Sequence, residues 1–231
     1  MSSENQGVLK SDEPGSAKLI ATLGFAGLLS GLIIVAVFEA TLPTITAYKA
    51  KVLREAVFKV LPGTTDMQRL VLQGGQLIVK DDAEKDEQAV FGGYDAQGRL
   101  LGYAIPSAGP GFQDTISLIY GYLPAERKVV GMEILASRET PGLGDKIYKD
   151  AAFVANFDAL SIDPTIVTVK KGTKSAANEV DAITGATISS KAVVRIINEG
   201  NVRWLERLPG PHQAPALGTG ASNTQIQRAE Q

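Results

Sequence analysis

Twenty consecutive residues without a charge, LIATLGFAGLLSGLIIVAVF (Leu19 to Phe38), constrain this chain more than any other stretch. At about 1.5 Å of rise per residue, a helix of that length covers about 30 Å, the thickness of the hydrocarbon layer of a bilayer. The run has no polar face to turn toward water, as the helix of a soluble domain would need. It is therefore expected to be a transmembrane helix over residues 19–38. A cleavable leader normally has a shorter apolar core behind a net-positive start. Here Lys10 and Lys18 are offset by Glu4, Asp12 and Glu13, so the segment reads as an uncleaved anchor. Gly27 and Gly31 form a small-xxx-small pair of the kind that admits a neighbouring helix. Lys49, Lys51, Arg54 and Lys59 follow the span, but long domains translocate largely regardless of flanking charge, so the facing is left open at this level.

The rest of the chain divides around this span. Residues 1–18 are polar and of mixed charge, a short tail expected to be cytoplasmic if the anchor is so oriented. Residues 39–61 read as an amphipathic connector helix, with Ile45, Tyr48, Val52, Ala56 and Val60 at helical spacing before Pro62-Gly63. A folded domain is expected over 62–208, and residues 209–231 read as a disordered Pro/Gly/Ser-rich tail. Within the domain, QAVFGGY and RLLGYAIP flank DAQG, a hairpin signal. DTISLIYGYL and RKVVGMEILA flank PAE, a second hairpin. The charge run from Lys80 to Glu87 is a solvated loop, LGDKIYKDAAFVANF a helix, and PTIVTVKKG a further strand. From Ile188 to Leu208 a helix is predicted, with Val193, Ile197, Trp204 and Leu208 on one stripe and Lys191, Arg195, Glu199 and Arg203 on the other face. The fold class is α+β: one N-terminal transmembrane helix, then a mixed domain built on an antiparallel sheet.

Composition excludes several chemistries. The chain has no cysteine, which removes disulfides, thiolate nucleophiles, iron–sulfur ligation and Cys-based zinc sites. Its one histidine, His212, lies in the C-terminal tail, so a Ser-His hydrolase finds no base in the domain. A formal net charge of −2 provides no electrostatic footprint for nucleic acid. No GxGxxG follows a strand, so no nicotinamide dinucleotide site is expected. No metal site and no catalytic residue of its own are expected.

One stretch still offers chemistry: DAITGATISSKAV, Asp181 to Val193. Thr184-Gly185-Ala186-Thr187 lies where an irregular segment enters the last helix. A helix N-terminus presents unpaired N–H groups and the positive end of the dipole, and so suits a phosphate. Gly185 and Ala186 lack bulk, Ser189 and Ser190 could donate further hydrogen bonds, and Lys191 lies one turn beyond Thr187 on the same face. Helix geometry thus suggests Ser189 and Lys191 as phosphate contacts. Ser and Thr are equally ordinary helix caps, and that reading stands beside the anion seat.

DAITGAT resembles the flavinylation signature Asp-x-x-Ser/Thr-Gly-Ala-Thr/Ser, on which a flavin transferase esterifies the phosphate of FMN to the final threonine. RETPGLGDKI resembles the Glu-Thr-Pro-Gly-Leu-Gly loop of the same family, and GPGFQDTISLIYGY its glycine-rich entry to the central strand. Together they resemble the G subunit of Rnf ion-translocating electron-transport complexes and, more distantly, the C subunit of the sodium-pumping NADH:quinone reductase. The likeness covers roughly residues 10–207. It implies an FMN-binding domain over 62–208, with FMN covalently bound at Thr187 and Asp181, Thr184, Gly185 and Ala186 completing the transferase recognition sequence. Glu139, Thr140 and Leu143 match positions expected to border the isoalloxazine ring. Leu143 offers a flat ring an apolar face, and Pro141, Gly142 and Gly144 let the backbone approach its edge.

The resemblance implies a single-pass protein of the cell inner membrane, its FMN domain periplasmic. Its partners would be the other subunits of an electron-transport complex and, during maturation, the transferase. Two other readings remain open on the residues alone. One is a cofactor-free anchoring or assembly subunit. The other is a hydrolase using Thr187 or Ser189 with Lys191 as base, although Thr-x-x-x-Lys departs from the Ser-x-x-Lys spacing.

Overall fold

The computed structural model describes residues 15–80 and 88–209. The expected N-terminal tail up to residue 14, Asp81–Glu87 of the charge run, and the C-terminal tail from residue 210 with His212 lie outside them. The chain forms two compact units, dividing after Ala50.

Helix α1, Ser16–Val60, supplies everything described of the first unit. Its Leu19–Phe38 portion is apolar on every side and buries nothing within the protein; Leu23 is 72% and Leu28 69% exposed. By length and composition it is a candidate to cross a membrane. The span and the connector helix expected at 19–38 and 39–61 lie on this one continuous helix, which runs through Pro43. Around the proline, the hydroxyls of Thr41 and Thr46 donate to the carbonyls of Val37 and Leu42, each at 2.9 Å.

The second unit is built on a seven-stranded antiparallel sheet. Its strands are β1 (Asp66–Gln73), β2 (Gln76–Val79), β3 (Ala89–Tyr94), β4 (Leu100–Pro110), β5 (Thr115–Leu123), β6 (Lys128–Ala136) and β7 (Leu160–Ser161), in the spatial order β2-β1-β3-β4-β5-β6-β7. The two predicted hairpins are β3–β4 and β5–β6. The β1–β2 hairpin, turning at Gly74-Gly75 with Gln73 opposite Gln76, is an addition for which the Gly-Gly pair is the local signal.

Two-residue alternation along β5 sends its side chains to two cores. Leu118 and Tyr120 face one, beneath helix α4 (Thr187–Trp204). Ile119 faces the other, with Phe91, Ala104 and the last turns of α1 (Ala56, Val57, Val60). The folded domain therefore takes in helix residues ahead of its expected start at residue 62. On α4 the predicted stripe is buried at Val193, Ile197 and Trp204. Each large apolar side chain so placed contributes about 1.5–3 kcal/mol.

Two expectations change. The helix predicted over Leu143–Phe157 is broken into α2 (Lys146–Lys149), α3 (Ala151–Val154) and a 3₁₀ turn. Asp150 is extended between them, and its carboxylate accepts from the amides of Ala152 (3.0 Å) and Phe153 (3.3 Å), so it caps a new helix instead of continuing the old one. The strand expected over Pro164–Gly172 shrinks to β8 (Val167–Val169). It pairs in parallel with β9 (Glu179–Asp181), a partner supplied from the segment leading to α4.

Candidate cofactor site

The GAT turn meets α4 with Thr187 as its first residue. Ala186 occupies the N-cap position with φ −133° and ψ 33° and contributes no side-chain cap. The capping role open to Thr187 therefore falls away: its exposed hydroxyl makes one long bond, 3.5 Å to the carbonyl of Ile183. Gly185 has φ +84°, a left-handed conformation that side chains with a Cβ resist, and this bends the chain into the helix. The turn is held from below by Ser190. Fully buried, its hydroxyl accepts from the amide of Ile183 (3.1 Å) and donates to the carbonyl of Ala186 (2.9 Å).

Thr187 lies where two clefts meet. One, about 490 Å³, is lined by Lys170, Lys171 and Lys191 together with Thr184, Gly185 and Thr187. The other, about 280 Å³, is lined by Phe112, Thr140, Leu143, Ile188, Thr187 and the Gly144–Ser189 contact. Phe112 is 64%, Leu143 50% and Ile188 58% exposed, an apolar cluster facing solvent beside Thr187. Lys170 and Lys171 reach the site because β8 ends beside β9. There Asp181 Oδ1 accepts from the amides of Gly172 (3.0 Å) and Lys174 (3.3 Å), shaping the lysine loop.

The structure brings together Thr140, Leu143, Thr184, Gly185, Ala186, Thr187 and Lys191 as the sequence suggests, and it relocates two residues. Ser189, expected to meet a phosphate, is 3% exposed and donates its proton to Glu139 Oε2 at 2.5 Å, so none remains for an outside anion. Glu139, expected to border a ring, is 5% exposed and lies beneath the loop, its Oε1 accepting from the amides of Phe112 (2.9 Å) and Gln113 (3.0 Å). Burial alone would raise the Glu139 pKa. The Ser189 hydroxyl and the amides of Gln113, Phe112 and Asp114 outweigh burial and hold the carboxyl below its ordinary value.

Phe112, Lys170 and Lys171 are not singled out by sequence reasoning as site residues, and Ser190, suggested as a further donor to an anion, is buried with its proton given to the carbonyl of Ala186. An exposed aromatic inside a glycine-rich loop is a usable signal for Phe112. Nothing local marks the two lysines, whose place depends on the β8–β9 pairing. Arg195, expected on the solvent face of α4, donates to the carbonyl of Pro110 and ties the Phe112 loop to the helix. The hydrolase alternative has no support here: no hydrogen bond links Lys191 to the Thr187 hydroxyl among the described residues.

A lysine-lined cleft beside an apolar cleft, joined at Thr187, has the charge and shape that a flavin mononucleotide would need. Residues 111–200, which contain every residue of the apolar cleft and every residue of the lysine cleft, match the FMN-binding domain family. The chain is 31% identical over 172 residues to the G subunit of the proton-translocating ferredoxin:NAD(+) oxidoreductase complex of Clostridium ljungdahlii, covering 74% of this chain and 82% of that one. It is 28% identical over 184 residues to the G subunit of the ion-translocating oxidoreductase complex of Methanosarcina acetivorans, covering 80% and 92%. Among solved structures, NqrC of Shewanella oneidensis superposes with a TM-score of 0.55 at 18% identity, covering 70% of this chain and 98% of that one; this shows a shared fold. The motif resemblance and these relatives agree: the chain belongs to the G-subunit family of ion-translocating oxidoreductase complexes.

Proposed function

We propose that this protein is a membrane-anchored flavoprotein subunit of an Rnf-type ion-translocating oxidoreductase, relaying electrons through an FMN esterified to Thr187. The observation that carries the proposal is the Thr187 hydroxyl itself. It is exposed, relieved of capping, and set between a lysine-lined cleft and an apolar one. When bound, FMN supplies the redox chemistry, and the chain supplies attachment, orientation and electrostatics.

Each part has its own task. Thr187 Oγ1 forms the bond to phosphorus; the hydroxyl proton leaves and the group previously held by that phosphorus departs, with no change in oxidation state. Lys170, Lys171 and Lys191, with the free amides of the first turn of α4, offset the phosphate charge. Phe112, Leu143 and Ile188 would offer the ring an apolar surface and keep water from one side of it. Asp181, Thr184, Gly185 and Ala186 form the sequence presented to the flavin transferase. Asp181 in addition keeps the lysine loop in place. The ester prevents loss of the cofactor outside the cytoplasm. That matters if, as the family resemblance implies, the protein is a single-pass component of the inner membrane with its domain in the periplasm and the rest of the complex as neighbours.

The test is the intact mass of the chain expressed with its transferase, together with flavin fluorescence of the denatured band. The expected result is one FMN less one water in the wild type and none in Thr187→Ala. A chain that matures into a working complex without flavin would instead have an anchoring or assembly role.

A further inference from the structure

We propose that the buried Glu139 carboxylate is the positioning residue of this site. It acts as a strut between the Phe112 loop, the loop of Thr140 and Leu143, and the first turn of α4, and it sets the width of the apolar cleft beside Thr187. The inference deepens the reading of Thr187 as an FMN anchor and rests on it.

Three walls of that cleft come from segments far apart in the chain, and one side chain touches all of them. Glu139 begins the loop that carries Thr140 and Leu143. Its Oε1 holds the Phe112 and Gln113 amides at 2.9 and 3.0 Å, and its Oε2 holds Ser189, two residues beyond Thr187. The surroundings are built for this carboxylate. A Cβ added at Gly144 would stand 2.7 Å from Oε2 and 3.0 Å from Ser189 Oγ, and one added at Gly111 would collide with Oε1. Glycine at both positions is thus the space the strut occupies. The other ties between the two loops, Thr140 to Gln113 at 2.9 Å and Arg138 to Asp114 at 3.6 Å, lie at the exposed rim, where such pairs contribute little. Glu139 does not line the cleft, so it acts through Phe112 and Ser189 and not on the ring.

Reach separates a strut from a bare charge. Glutamine keeps the length and the Oε1 acceptor, and its amide can donate to Ser189, whose hydroxyl can turn to accept. Aspartate keeps the charge and is too short to hold both sides. The experiment compares the full chain in wild-type, Glu139→Gln, Glu139→Asp and Glu139→Ala forms. It measures hydrogen exchange of the Phe112 and Gln113 amides before flavin loading and flavin fluorescence anisotropy after it. In Glu139→Ala and Glu139→Asp the two amides are expected to exchange on the order of tenfold faster or more, the loss of a charge-assisted hydrogen bond. The loaded flavin should then show lower anisotropy, with far-UV circular dichroism unchanged. Glu139→Gln is expected to restore both readouts.

A Glu139→Ala chain that takes no flavin while the wild type does would also support the strut, as needed before attachment. Unchanged exchange in Glu139→Ala, unchanged anisotropy despite faster exchange, or a Glu139→Gln form as loose as Glu139→Ala would each overturn the proposal. If the wild type itself carries no covalent flavin, the anchor reading fails, and the exchange arm still judges the strut.

Discussion

The two sides of Thr187 are built in different ways. The lysine side is a loop whose shape depends on exposed hydrogen bonds from Gly172 and Lys174 to Asp181, and its charges reach into solvent. The apolar side is braced from within, by a 5%-exposed carboxylate that accepts from Ser189 and from the amides of Phe112, Gln113 and Asp114, and by two glycines packed against it. The difference follows from the two halves of a nucleotide. A phosphate is recognised by charge and amides that act over several ångströms and tolerate movement. A flat ring must be met by surfaces at van der Waals distance, and these need a rigid support. Buried Glu139 and Ser189 lie under the wall that needs rigidity, while on the lysine side buried Asn156 holds the backbone of Asp181, its Oδ1 accepting from that amide at 3.1 Å.

The comparison is broken most severely at the residue both sides share. Thr187→Ala is expected to remove all covalent flavin while the domain stays folded, because Ala186 and not Thr187 occupies the cap position and only a 3.5 Å bond is lost; intact mass and far-UV circular dichroism check both halves. Thr187→Ser keeps the hydroxyl and should load. Next, Phe112→Ala combined with Leu143→Ala should leave the ester intact and free the ring, seen as a clear fall in flavin anisotropy toward that of a tethered but unstacked flavin. Neutralising Lys170, Lys171 and Lys191 should slow flavin attachment only severalfold, since each exposed charge contributes well under about 1 kcal/mol. The slowing should shrink in high salt, which initial loading rates would show.

The smallest effect is one of pH. Glu139 has its pKa lowered in the folded protein, so its contribution is present above the unfolded carboxylate value and is lost as pH falls through the lower folded value. Protection of the Phe112 and Gln113 amides should therefore hold at neutral pH and loosen only slightly in acid below the ordinary glutamate range, far less than in Glu139→Ala, because the protonated carboxyl keeps the length and the Oε1 acceptor that Glu139→Gln keeps. Loss of that protection near neutrality would contradict the geometry.

Much of this is legible in the residues. The apolar run at Leu19–Phe38, both central hairpins and the stripe of α4 follow from periodicity, because each is a local pattern with its signal inside one window. That Thr187, Leu143 and Thr140 line one cleft agrees with the motif resemblance that grouped them. What escapes depends on distant partners. Glu139 and Ser189 are both polar residues in a glycine-rich and helix-start context, and nothing local says that they bond to each other across 50 positions and leave the surface. The lysine wall requires the parallel pairing of Val167–Val169 with Glu179–Asp181, a non-local contact. The helix break at Asp150 is visible in principle. An aspartate two residues ahead of the amides it caps reads equally well as one more charged position on a continuing helix.

The most direct test is the tryptic fragment spanning residues 175–191, isolated from the natively expressed chain and fragmented in a mass spectrometer. The account predicts that this peptide carries one FMN less one water and that the added mass maps to Thr187. An unmodified peptide, or an adduct mapping to Thr184, Ser189 or Ser190, would contradict it.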